Sequence, residues 1–297
     1  MIRCVRLRRA QRDMARHAQP WALVRSVVIG LLVGVLGTLS WAGLISANLR
    51  YLPSVPWAVL AMAAILSIWW LYFAKGQGAP RSTQFARKVA GRANRVPDDL
   101  WGSALGTGAL GLFTTFLLQG VLGRLVTLPQ QQLDLDPSKY PVLTLLAWAV
   151  MSALVAGVVE ETAFRGYIQG GIERSHGLTT AILITGALFG FSHFTHPEVG
   201  IVLLPFYLAV TAVYGLLAAA TNSVYPSMVL HARGNLLSAF GLISRGRSEW
   251  QLTTTPNPTI WQAGADAWFC ANLAALLVFG AATVLAYRAL FKTVRAS

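Results

Sequence analysis

The chain has 297 residues, 55% of them hydrophobic and only 12% charged. A soluble domain carries about 25% charged residues, so this composition excludes an ordinary soluble enzyme and points to the membrane. The formal net charge of +13 would suggest a nucleic-acid partner in a soluble protein. Here the basic residues fall between apolar runs, where membrane topology puts them, and no nucleic acid is expected. Cys4 and Cys270 lie at opposite ends and form neither a disulfide framework nor a metal cluster.

In chain order, the basic segment 1–25 precedes the first apolar run and is too long for a cleaved signal peptide. It reads as a topology signal that also touches anionic lipid. Charge-free runs then mark the expected spans. The first two lie between Arg25 and Arg50 and between Arg50 and Lys75, the third between Asp99 and Arg124. A fourth runs from Lys139 through Glu160 to about Gly171, and a fifth from Leu178 to His193. The uncharged stretch from Glu198 to His231 is too long for one helix and is split at TNSVYP (Thr221–Pro226), a turn signal with a proline. That gives a sixth span and a seventh ending near Ile243; Asp266 to Arg288 encloses the eighth. The fold class is therefore all-α, a polytopic bundle of about eight transmembrane helices. The chain divides into the basic segment 1–25, N-terminal helices over 26–140, a core over 141–245, and a last loop, helix and tail over 246–297. Ser82–Ala93, STQFARKVAGRA, is expected as a helix lying on the inner surface.

Lys and Arg set the orientation. With the N-terminus inside, the inner segments hold 17 basic residues and the outer ones 5. Both termini are thus expected in the cytoplasm, with the anionic inner leaflet against the basic collar. A bacterial inner (plasma) membrane is the expected location.

Of the 11 acidic residues only Glu160 and Glu161 fall mid-span. A charge at a helix centre costs about 2.5–3.5 kcal/mol on insertion scales, so these groups must be paired, neutralised or set against a cavity. In AGVVEETAFRGYIQ (Ala156–Gln169), Glu161 and Arg165 are spaced i, i+4 with the acid first, the favourable order for a helical ion pair. Glu160 lies about 100° around an α-helix, on a more apolar face that suits a general base. His193 ends the fifth span, and His231 and Asn235 share one face of the seventh. At about 1.5 Å per residue, Glu160, His193 and Asn235 come about 17–24 Å from the inner ends of their helices, and His231 about 10 Å. Three spans thus bring Glu, His, and His with Asn into the hydrocarbon layer, and this convergence is the internal sign of a site. Outside it, His196 reads as an outer surface residue, Asn222 as a turn residue and Asn272 as a bond to a neighbouring helix. Arg233 reads as a side chain that snorkels or pairs with an acid.

Other intramembrane protease chemistries lack their residues. HExxH and GxSG are absent, and Asp266 sits at a span end rather than within one. Glu160 and His193 could take a proton from water, while His231 and Asn235 donate hydrogen bonds to an oxyanion, worth roughly 3–4 kcal/mol per donor. A proton-coupled transporter or a non-enzymatic scaffold or immunity protein is the competing class.

EETAFR (Glu160–Arg165), FGFSH (Phe189–His193) and HARGN (His231–Asn235) resemble the EExxxR, FxxxH and HxxxN motifs of the CAAX protease and bacteriocin-processing family. The resemblance covers about residues 145–245. It implies an eight-helix intramembrane endopeptidase acting on a membrane-anchored protein or peptide, with Glu160, Glu161, Arg165, His193, His231 and Asn235 as the site. It implies Glu160 as the water-activating group with His193 beside it, and His231 with Asn235 at the oxyanion. Catalysis without a cofactor is the expectation; were zinc present, Glu160, His193 and His231 would hold it.

Overall fold

The computed structural model describes residues 20–127, 139–193, 197–245 and 258–296. His196 and Cys4 lie outside them. The described residues form helices and no strand. Two long helices come first, α1 (Pro20–Tyr51) and α2 (Trp57–Trp69), the latter running on into a wide π-helical turn, Trp70–Ala74. The short α3 (Gln84–Gly91) and the long α4 (Leu100–Leu125) follow. Next, α5 (Val142–Val155) continues without a break into a π-helical segment, Ala156–Gln169, and then α6 (Gly170–His176). The chain closes with α7 (Leu178–Ser192), α8 (Pro197–Thr221), α9 (Tyr225–Arg245), α10 (Ile260–Ala263) and α11 (Ala267–Ala296).

Among the described residues six helices are long and apolar enough to cross a membrane: Trp21–Tyr51, Trp57–Ala74, Leu100–Leu125, Val142–His176, Ile201–Thr221 and Ala267–Arg295. The protein is polytopic and all-α, with six such helices where eight spans were expected. The fifth and seventh expected spans exist as α7 and α9 but fall short for different reasons. α7 is an apolar helix of only 15 residues. α9 has the length but carries His231, Arg233, Asn235 and Arg245, which dilute its apolar character.

At one end of the bundle the 75–99 connection docks on α6 and on the turn between α8 and α9. Arg92 pairs with Glu173 at 2.9 Å, and its Nε donates to Asn222 Oδ1. Ser223 Oγ donates to the Asn94 carbonyl, and Val224 N to that of Arg92. Asn222 is the turn residue expected, at φ 47°. At the other end the buried Arg124 pairs with Asp266 at 2.8 Å, and Thr144 Oγ1 donates to the Pro53 carbonyl. The α1–α2 reversal is closed by the buried Asn48, whose amide donates to Leu52 and Val55 carbonyls and accepts from Ala58 N.

The helix expected within Ser82–Ala93 is present as α3. It exposes Phe85 and Val89 one turn apart, while Arg87 is buried and donates to the carbonyls of Tyr72, Gln77 and Gly78. Asn272 packs against Gly120 of α4, and Arg233 is exposed.

The π-helical segment sits at the centre. α1 lies along it through Gly30, Gly34 and Gly37, which face Ile168, Ala163 and Val159 in turn. A Cβ at Gly37 would come 2.5 Å from Val159 Cγ1, so only glycine permits this approach. α9 packs on its other side, and α7 and α8 pack against each other behind it.

Candidate active site

The segment carrying the two glutamates is wound more widely than an α-helix over Ala156–Gln169. Such windings are rare and gather at functional sites. Adjacent residues on a wide turn are separated by a smaller angle than on an α-helix, so Glu160 and Glu161 turn toward the same neighbour. That neighbour is His231 of α9. Its Nδ1 lies 2.8 Å from Glu161 Oε1, and its Nε2 lies 3.8 Å from Glu160 Oε2. α-helical spacing put Glu160 on a separate face; the wider winding brings it onto the same imidazole.

Glu161 and Arg165 form the expected i, i+4 pair at 3.2 Å, both fully buried. The Arg165 guanidinium also lies over the rings of Phe189, at 4.6 Å, and Tyr214, at 5.1 Å, where it meets the negative faces of both. Tyr214 in turn stacks on His231, centroids 5.1 Å apart and planes 14° apart. The imidazole is therefore fixed by a carboxylate at Nδ1 and a parallel ring on its face. A carboxylate accepts only, so Nδ1 carries the proton it donates to Glu161, and Nε2 is the nitrogen left on the side of Glu160.

Glu160 differs from Glu161. It is partly accessible, yet its Oε2 is buried with no hydrogen-bond partner among the described residues. A buried acceptor without a partner is costly and calls for an explanation. It points at the free nitrogen of His231 across a gap longer than a direct hydrogen bond.

His193 lies just past the end of α7, half-buried, with Nδ1 2.8 Å from the Phe189 carbonyl. Its ring packs on Phe189 at 4.5 Å and Tyr207 at 5.1 Å. Phe189 is the shared wall, edge-on to Phe164 at 5.1 Å and to His231 at 6.1 Å. Among the described residues no ion pair joins His193 to Glu160; the imidazole facing Glu160 is that of His231. Asn235 follows His231 by one turn on α9 and is half-buried. The structure thus brings Glu160, Glu161, Arg165 and His231 into direct contact. His193 joins them through Phe189, and Asn235 through the shared helix.

Among the described residues no three His, Cys, Asp or Glu side chains gather in a way that could hold a metal ion. His231 already gives one nitrogen to Glu161, and His193 gives one to a backbone carbonyl. As placed, the donors Glu160, His193 and His231 do not fit a zinc site, which needs three convergent ligands. Sequence reasoning missed Tyr214, whose ring fixes His231 and covers Arg165. It sits in AVTAVYGLL, where nothing distinguishes it from a packing aromatic. Phe189 was visible only as the first residue of FGFSH.

The comparisons with known proteins meet this geometry at one place. Residues 142–237 match the Rce1-like family, described as type II CAAX prenyl endopeptidase Rce1-like. The matched third of the chain holds both glutamates, Arg165, His193, His231 and Asn235, and it agrees with the resemblance carried by the three motifs. No curated protein and no solved structure matches the chain. The Rce1-like family is a protease family, and the long apolar helices support an integral, multi-pass membrane protein whose residues 142–237 are similar to it.

Proposed function

We propose that the protein is an intramembrane endopeptidase that hydrolyses a peptide bond of a membrane-anchored protein or peptide by water activated at Glu160. The observation that supports this most is the buried, unpartnered Glu160 Oε2 facing the free Nε2 of His231 at 3.8 Å. A water molecule held there would lose a proton to Glu160 as it attacks the scissile carbonyl. His231, held in one tautomer by Glu161, is placed to take that proton and pass it to the leaving amine, as an oriented base does in hydrolases generally. Asn235 supplies a neutral donor for the oxyanion on the same helix face. His193, with Nδ1 engaged, keeps Nε2 for the substrate side of the site. Glu161 and Arg165 position His231 and touch no reacting atom. Catalysis runs without a metal.

The test compares the membrane proteome of a strain carrying Glu160→Ala with that of the wild type. Uncut precursors should accumulate in the variant and disappear when the wild-type chain is restored. A variant with normal levels, an unchanged proteome and an intact phenotype would make the chain a scaffold on a protease-like fold.

A further inference from the structure

Away from the glutamates, a cavity of about 670 Å³ lies between α4, α8 and α11, within the range of roughly 300–1,000 Å³ that accommodates a bound ligand. Its walls are apolar, with Ala212, Val213, Leu216 and Val284 along its length. Among the described residues α11 packs mainly on α4 and α8, and Val284 on the cavity wall is exposed, so the groove opens sideways toward lipid. Its floor is closed by Tyr287, whose hydroxyl donates to the Val213 carbonyl at 2.7 Å. The neighbouring residue on α8, Tyr214, is the ring stacked on His231, so the groove and the glutamates lie on different faces of one helix, about 100° apart.

One end of this groove is charged. Arg288, Lys292 and Arg295 all line it, and their i, i+4, i+7 spacing puts them on one face of α11. Among the described residues no acid pairs with any of them. From Ala267 to Arg288 the helix rises about 32 Å, close to the hydrocarbon thickness of about 30 Å. The three cations therefore lie at headgroup level while the rest of the groove lies in the apolar layer. A zwitterionic headgroup brings its own cation to such a cluster; an anionic one brings only the phosphate. Basic pockets between transmembrane helices select anionic headgroups for this reason.

We propose that this groove is a binding site for a single anionic phospholipid, with an acyl chain against Val213, Leu216 and Val284 and the phosphate on Arg288, Lys292 and Arg295. The site is independent of the peptide-bond chemistry and stands whether or not the chain is a protease.

The experiment is native mass spectrometry of the purified full chain, released from detergent after titration with phosphatidylglycerol or with phosphatidylcholine of identical acyl chains. One tightly held phosphatidylglycerol is expected, with phosphatidylcholine at least tenfold weaker. At about 1 kcal/mol per cation, Arg288→Ala/Lys292→Ala/Arg295→Ala should weaken phosphatidylglycerol binding roughly a hundredfold. Arg288→Lys/Lys292→Arg/Arg295→Lys, which keeps the charges, should retain it. Gly280→Leu fills the groove without touching the cations, since a Cβ there meets only Thr114 Cγ2 at 3.9 Å; it should weaken binding about tenfold. Excess inorganic phosphate should leave the lipid in place. Equal affinity for the two lipids, or full binding by the triple alanine variant, would overturn the proposal. So would indifference to Gly280→Leu or displacement by inorganic phosphate, because either would reduce the site to surface charge.

Discussion

Replacing Gly157 with alanine would test whether the spacing between the π-helical segment and α9 sets the site. A Cβ at this position would lie 2.9 Å from Ala232 Cβ, 2.9 Å from the Met228 carbonyl oxygen and 3.1 Å from Ala232 N. Carbon atoms rest at about 3.5–4.0 Å, and two of the three obstacles are backbone, so no rotamer change relieves the contact. The two helices must part by about 0.6 Å or more. His231 directly precedes Ala232, and its 2.8 Å contact with Glu161 would stretch to about 3.4 Å, past the ordinary range for a nitrogen–oxygen hydrogen bond. Overpacking of this kind costs about 1–3 kcal/mol, and misplacing a reacting group by about 1 Å can cost about 100-fold in rate. Thermal unfolding in detergent reads the first quantity, and cleavage of a precursor identified with Glu160→Ala reads the second. Gly43→Ala, where a Cβ meets nothing within 4 Å, is the control and should be neutral or slightly stabilising. If Gly157→Ala kept both wild-type stability and wild-type cleavage, the reasoning that ties this close approach to the His231–Glu161 contact would fail.

The two glutamates should separate by phenotype. Glu160→Gln should abolish cleavage with little change in unfolding temperature. Glu161→Gln or Arg165→Ala should lose about 3–5 kcal/mol of stability, because each strands a buried charge; equal unfolding temperatures for all three variants would contradict the assignment. Activity of purified protein should persist through exhaustive chelation. One zinc per active chain, removed by chelator with loss of activity and restored with it, would refute metal-free catalysis. At the far end of the bundle, the hydrogen bond from Arg124 holds the Asp266 carboxyl below its usual range, helped by the N–H of Phe269. A depressed carboxyl stabilises the fold above its unfolded pKa of about 3.9 and ceases to do so as pH falls through the folded value. The stability gap between wild type and Asp266→Asn should therefore be present at neutral pH and close on acidification; a gap that is constant with pH would dismiss the pair.

Much of this arrangement could be read from the residues because charge is scarce in the chain. With so few acids, Glu160 and Glu161 stood out at once, and the i, i+4 pairing of Glu161 with Arg165 is what the structure shows. Asn222 was legible as a turn residue, and the structure shows it in a turn at φ 47°. The span count was less secure. α9 is polar where it carries His231 and Asn235, and α7 is short, so the helices that build the site are the ones that least resemble membrane spans. The orientation of Glu160 was not legible, because a wide winding leaves no mark in residue types and the angle between neighbours was reckoned for an α-helix. Tyr214 was not legible either, since its stacking on His231 depends on how α8 and α9 meet.

The π-helical segment has a consequence for how this stretch can vary. Between α5 and α6 it holds Val159, Ala163 and Ile168 against glycines of α1 on one side and Glu160 and Glu161 against His231 on the other. Both registers hold only for this number of residues. Loss of one residue within Ala156–Gln169 would tighten the winding and rotate everything after the gap, turning Arg165 off Glu161 or Ile168 off α1. A helix of ordinary pitch that ends on a loop can absorb such a change by fraying, but this one is anchored at both ends by packed helices. The spacing inside AGVVEETAFRGYIQ is thus as constrained as its letters, and a shortened version should be worse tolerated than almost any single substitution within it.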